Sequence, residues 1–177
     1  MKKFIILFSL IFVFAMSLFD IVLANARWYN PKSIATYIEP NDKAPLMKQA
    51  FARWSQVTQD KIVFKYVDTP ERAQIIVNFV KDASKTSNLE RAAGVTYHRS
   101  IGDRMISARI EIADNAPNGA AFRKDAVYRI MIHEIGHAIG IFDHSPDRMS
   151  IMYFAKGSRN QDITPADLEL LGKIYGW

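Results

Sequence analysis

The chain has 177 residues, 49% of them hydrophobic and 12% aromatic, with no cysteine. That composition fits one globular domain rather than a disordered or repeat protein, and the missing cysteine excludes disulfide staples and thiolate metal ligands. The formal charge of +5 comes without a clustered Lys/Arg run or interleaved aromatics, so it leaves no footprint for nucleic acid.

Residues 1–26, MKKFIILFSLIFVFAMSLFDIVLANA, have the three parts of an export signal. These are a basic start (Lys2, Lys3), an apolar run from Phe4 to Phe19 and a small-x-small end at Ala24-Asn25-Ala26. The run is interrupted by Asp20 and falls short of the roughly 20 apolar residues that a spanning helix needs. Cleavage after Ala26 is therefore expected, with a secreted product, extracellular or periplasmic, and no stable membrane anchor. Removing Lys2, Lys3 and Asp20 takes the charge from +5 to +4. Residues 27–177 are read as one domain, with no repeat, low-complexity tract or linker to divide them.

SIATYI (Ser33 to Ile38) is rich in β-branched and aromatic residues and is stopped by Glu39-Pro40, the pattern of a short strand. In NDKAPLMKQAFARWSQVT, Met47, Ala50, Phe51, Trp54 and Val57 recur at helical intervals, and Pro45 sits in the first turn, where its missing N–H costs nothing. KIVFKYV (61–67) and AQIIVNFV (73–80) have strand composition, the second apolar enough to be buried on both faces. KDASKTSNLERAAG reads as loop. GVTYH and RMISARIEIA read as strands, the latter alternating Ile106, Ala108, Ile110 and Ile112 against Ser107, Arg109 and Glu111. That alternation suggests one wet side and a sheet edge. From Asp125 to Ile139 the apolar spacing is helical, with Gly140 placed as a left-handed stop. TPADLELLGKIY opens a last helix, with Thr164 as N-cap, Pro165 at the first position and Asp167 three residues past the cap.

The chemistry lies in HEIGHAIGIFDHS, His133 to Ser145. On a helix, residues four apart share a face, so His133 and His137 can offer two imidazole nitrogens to one ion from adjacent turns. Glu134 is rotated about 100° around the axis, so it misses the ion yet can reach a water bound to it. Taken alone the motif can arise by chance, and a helix histidine is usually an ordinary polar group. The predicted helix, Gly140 and the ligand-type residues that follow give it weight.

These residues resemble the metzincin zinc peptidases, whose pattern is His-Glu-x-x-His-x-x-Gly-x-x-His followed by a methionine-containing turn. His133, Glu134, His137 and Gly140 match, and SIMYF around Met152 looks like the Met-turn. Within that clan the nearest likeness is the matrixin-type catalytic domain, and it covers nearly all of residues 27–177. The resemblance implies an α+β, zincin-like fold: a twisted mixed five-stranded sheet packed on two long helices, the second carrying the zinc motif, with a C-terminal helix after the Met-turn. It implies one catalytic Zn2+, with Met152 as a floor beneath it.

One departure leaves the third ligand open. Counted forward from Gly140 it falls on Asp143; counted back from the Met-turn it is His144, with one extra residue in the turn. Both residue types bind zinc at similar distances. His144 is preferred, because a loop absorbs an insertion cheaply while the downstream register holds. His98 reads as a polar strand-end residue, and DNAPNG (114–119) as a loop rather than a calcium site.

Three protein ligands leave zinc one open position for water, as in a catalytic site. The implied reaction is peptide-bond hydrolysis through a zinc-activated water with Glu134 as general base, which makes the chain a secreted zinc metalloendopeptidase. Tyr153 is a candidate second oxyanion donor. The expected partners are a polypeptide substrate added along the edge of RMISARIEI, with residues Phe154 to Asp162 walling its side-chain pocket. With no cysteine latch and no room for a propeptide after Ala26, activity on export or control by a separate protein inhibitor is expected. Two rival readings remain: a non-catalytic zinc-binding module of the same fold, and a zinc amidohydrolase acting on a non-protein substrate.

Overall fold

The structure, a computed structural model, describes residues 26–81, 83, 92–116, 119–153 and 162–177. The expected signal through Asn25, most of the loop between Val80 and Gly94 and the proposed pocket wall at 154–161 lie outside the described residues.

The elements run β1 (Ile34–Ile38), α1 (Ala44–Val57), β2 (Phe64–Tyr66), β3 (Ile75–Val80), β4 (Gly94–Ile101), β5 (Arg104–Ala113), α2 (Lys124–Ala138) and α3 (Pro165–Tyr175). The sheet order is β2-β1-β3-β5-β4. The first four strands in that order are parallel neighbours, and β4 pairs antiparallel to β5. Both long helices pack on this mixed sheet as well as on each other, the α+β, zincin-like architecture expected.

The α1 stripe forms as its spacing predicts. Met47, Ala50, Phe51 and Trp54 are all buried, and Pro45 sits in the first turn. Burying a side chain as large as Phe51 contributes roughly 2–3 kcal/mol. Trp54 also donates its indole N–H to the Ile132 carbonyl at 2.9 Å, tying α1 to α2 one residue ahead of His133.

Three strand expectations change. β2 is shorter than KIVFKYV, because Val63 N bonds to Pro31 O and only three residues pair in register with β1. In β3 one face, Ile75 and Val77, is buried while Ile76 and Asn78 are half-buried. β5 is internal rather than an edge, flanked by β3 and β4. The polar half of its alternation is wet only at Arg109 and partly at Ser107, since Glu111 is buried and ion-paired with Arg109 at 3.3 Å. Alternation reports on the two faces of a strand and is silent about its edges. Among the described residues, the free edge on this side of the sheet is β4.

Ala26, the last residue of the expected signal, is the first described residue. Ala26 is fully buried, and Arg27 bonds to both Asp103 and Met105 at the start of β5. Trp28 donates its indole N–H to Ala138 O at 2.9 Å, and the Tyr175 hydroxyl donates to Ile139 O at 2.9 Å. The last carbonyls of α2, which have no partner within the helix, are thus taken up by the two ends of the domain.

Candidate metal centre

The stop of α2 sets up the site. Gly140 has φ +113°, its N–H bonds to His137 O at 3.1 Å, and Ile141 N bonds to Gly136 O at 3.0 Å. This is the paired 5→2 and 6→1 pattern of a Schellman cap. A Cβ on Gly140 would come 2.5 Å from the Ala26 carbonyl oxygen, so the position needs glycine for space as well as for its dihedral. The reversal carries the Ile141 carbonyl back over the helix end, where it accepts Nδ1–H of His137 at 2.6 Å.

A second carbonyl orients the other imidazole. Ile151 O accepts Nδ1–H of His133 at 2.7 Å. Ile151 belongs to the Met-turn, which is held by the carboxylate of Asp167 from the first turn of α3. One carboxylate oxygen accepts from the Ser150 hydroxyl; the other accepts from Ile151 N at 3.1 Å, Thr164 N at 2.8 Å and Thr164 Oγ1 at 2.6 Å. Asp167 is therefore more than the capping acid the sequence suggests. It closes the expected capping box and pins the turn whose carbonyl sets His133.

With both Nδ1 atoms donating to carbonyls, both Nε2 atoms carry lone pairs. They face each other at 3.1 Å. Two donors about 2.0–2.1 Å from a tetrahedral ion stand roughly 3.3–3.4 Å apart, so the separation fits two ligands of one metal. The His144 ring joins them, its centroid 5.2 Å from that of His133 and 4.9 Å from that of His137. One ligand-type nitrogen from each of these three rings lies within 4.8 Å of the other two. Among the described residues this is the one such cluster; it includes His144 and not Asp143. Three residues, Ile141 to Asp143, separate Gly140 from His144.

Burial lowers the pKa of His133 to about 4 and of His137 to about 3, with repulsion from neighbouring histidines adding to the effect. His144, more exposed, is lowered by the same desolvation. Neutral rings are the ligating form. The donor set therefore suits zinc in charge state and geometry.

Glu134 is 5% exposed. Desolvation raises its carboxyl pKa to about 7, while a hydrogen bond from Thr96 acts the other way. Thr96 Oγ1 lies 2.7 Å from Glu134 Oε2 and 3.0 Å from the Glu134 carbonyl. Gly94, two residues earlier on the same face of β4, leaves the space the carboxylate occupies: a Cβ there would stand 2.8 Å from Glu134 Cγ and 2.9 Å from Oε1. Sequence reasoning missed Thr96 and Gly94, because they lie some forty positions from Glu134 and carry no motif. Beneath the cluster, Met152 is fully buried with its thioether against Gly136, where any Cβ would overlap the sulfur. Tyr153 is bridged through its backbone to Ser145, which closes the loop below His144.

His98 is not a member of the cluster. It is exposed on β4, and its ring lies on that of Phe142, centroids 3.8 Å apart and planes 5° from parallel.

The fold and the three-histidine cluster beside a buried glutamate place the chain among the metzincin-type proteins. The sequence profile of the Matrixin family, Peptidase M10, matches residues 28–176, and the chain belongs to that family. It is 25% identical over 166 residues to the interstitial collagenase of Oryctolagus cuniculus, covering 89% of this chain and 35% of that protein. It is 24% identical over 145 residues to matrix metalloproteinase-A of Caenorhabditis elegans, covering 80% and 27%. The chain thus spans about a third of the length of the curated relatives it matches. Among solved structures it resembles myroilysin, with a TM-score of 0.53 at 15% identity over 86% of this chain and 96% of that one, a likeness of fold.

Proposed function

We propose that the chain is a zinc endopeptidase, with His133, His137 and His144 as the metal ligands, Glu134 as general base and Met152 as the floor of the site. The observation that carries this reading is the pair of carbonyl-oriented Nε2 atoms 3.1 Å apart, with a buried carboxylate on the next residue of the helix. Membership of the matrixin family supports zinc as the ion. When bound, zinc supplies Lewis acidity toward a water and toward the carbonyl of the scissile peptide.

The chain's own groups do the rest. Ile141 and Ile151 fix the imidazole tautomers, so that no ring reorganisation accompanies turnover. Glu134 takes a proton from the attacking water and holds it on its carboxyl. A pKa raised by burial suits a group that must accept a proton and then release it near neutral pH. It delivers that proton to the leaving amine nitrogen. Thr96 keeps the carboxylate turned toward β4.

The polypeptide substrate adds as a strand along the outer edge of β4, which has no neighbouring strand among the described residues. This replaces β5, which is paired on both sides. Residues 1–26 serve as an export signal, cut after the small-x-small end Ala24-Asn25-Ala26. No helix among the described residues is long and apolar enough to cross a membrane. A separate protein inhibitor is the proposed control.

The test is incubation of the purified, zinc-loaded protein with a mixed peptide library, with and without a chelator. Chelator-sensitive internal cleavage is expected. Zinc uptake without cleavage of any peptide would leave a binding module or an enzyme of another substrate class.

A further inference from the structure

The turn from Gly140 to His144 holds three residues where the metzincin pattern has two. Ile141 is buried and its carbonyl orients His137, while Asp143 is exposed. Phe142 reaches across to β4 and lies flat on His98.

Gly94, Thr96 and His98 are spaced by two, so they share the face of β4 that looks onto the site. Gly94 and Thr96 meet Glu134. His98 therefore continues the same wall one step further along the strand. Directly across β5 it is paired with Ala108, whose small side chain leaves the imidazole uncrowded. One ring face is covered by Phe142, and His98 is nonetheless exposed.

We propose that His98, backed by Phe142, is a specificity-determining platform that takes a planar aromatic side chain of the substrate by stacking. The proposal rests on the peptidase reading and on substrate addition along β4. A strand added at that edge places the side chain opposite His98 on the same sheet face, within stacking reach. That residue is two positions from the one opposite Thr96, where Glu134 acts, so the aromatic preference falls two or three residues from the cleaved bond. With one face against Phe142, the ring offers its other π-face to the added side chain.

The experiment scans one aromatic residue through the positions flanking a cleaved bond and compares each peptide with its alanine counterpart. A preference in kcat/KM of roughly three- to tenfold is expected at a single position. In His98→Ala, and in Phe142→Ala, which keeps the imidazole but removes its backing, that ratio should fall toward one. A ratio unchanged in both variants overturns the proposal. If the wild-type protein cleaves nothing, the peptidase reading has failed. Binding of the same peptides to zinc-loaded Glu134→Gln, followed by fluorescence anisotropy, then decides the platform separately. Tighter binding of aromatic peptides that is lost with His98→Ala supports it, and equal binding of aromatic and alanine peptides sinks it.

Discussion

The two halves of the candidate site are built differently. His133, Glu134 and His137 ride on one well-packed helix, with α1 and the sheet around it and a backbone carbonyl on each imidazole. His144 sits in an exposed turn next to an exposed aspartate. The helical half takes its precision from regular structure, since residues three and four apart have fixed relative positions before any tertiary contact forms. The turn takes its precision from tertiary contacts: the Schellman cap before it, the Ser145–Tyr153 bridge after it, and the Asp167 carboxylate behind the Met-turn. Preformed donors and an adaptable third ligand lead to different expectations for mutation.

The largest effect should come from the helical half, where binding and chemistry can be separated. Glu134→Gln keeps the shape and the approach of Thr96 while removing the base, so kcat/KM should fall about 10²- to 10⁴-fold with zinc content unchanged by elemental analysis. Undiminished activity in that variant would refute the assigned role. Next come the ligands. His137→Ala should lose zinc more completely than His144→Ala, because removing a buried donor leaves the opposing Nε2 alone, whereas water or Asp143 can enter at the turn. Both losses should exceed the 10- to 100-fold that removal of an orienting partner costs. Competition with a fluorescent chelator measures them; a greater loss in Asp143→Ala than in His144→Ala would make the aspartate the third donor.

The same contrast explains what was legible in the sequence. The placement of the helical half on one helix face was legible, because HEIGH carries its geometry within one and a half turns, and the α1 stripe and the Thr164 cap carry theirs just as locally. The orienting carbonyls of Ile141 and Ile151 could not, since every residue has a carbonyl and the side-chain letter says nothing of where it points. Nor could the strand order: β5 shows the cleaner alternation, yet β4 takes the edge, because edge position depends on which strands pair across the chain. Asp167 was legible in its local role as a capping acid and silent in its long-range one, the hold on Ser150 and Ile151.

Asp167 is where the two halves join. Asp167→Asn keeps the size but turns one acceptor into a donor facing groups that themselves donate, so the cap and the Met-turn loosen together. A 10- to 100-fold loss of zinc affinity is expected, together with a lower Tm even without metal. A fall in Tm with zinc affinity intact would confine Asp167 to the cap.

Acid should act on the metal-free chain with a defined sign. His133 and His137 have folded pKa values near 4 and 3, below the unfolded value of 6.5, so the stability they allow is present above 6.5 and is lost as pH falls. Glu134 acts oppositely. Raised from 4.5 to about 7, it contributes stability that is full below 4.5 and lost as pH rises toward 7. Between 6.5 and 4.5 the unfolded chain takes up protons on both imidazoles while the folded chain takes up one on Glu134. From these three groups the slope is about 1.4 kcal/mol lost per pH unit of acidification, steepening below 4.5, where the offset from Glu134 ends, and the lowered His144 and His98 add to it in the same direction. Urea melts of chelator-treated protein from pH 8 to pH 4 would show it, and the added stability from zinc should shrink over the same interval.

The smallest effect is expected at Thr96, which touches the base and no ligand. Its hydroxyl has one proton and two acceptors in reach, Glu134 Oε2 at 2.7 Å and the Glu134 carbonyl at 3.0 Å. Thr96→Val replaces it with a methyl of similar size, so packing against α2 is kept while a buried carboxylate oxygen loses its donor. A bond of that kind contributes on the order of 1–3 kcal/mol, but it holds the carboxylate in the ground state and the transition state alike, so only the part lost in positioning appears in the rate. The expected result is a roughly three- to tenfold lower kcat with KM and zinc content unchanged, restored by Thr96→Ser. If Thr96→Val were instead faster, the hydroxyl would be holding Glu134 back from the attacking water, and β4 would restrain the base rather than aim it.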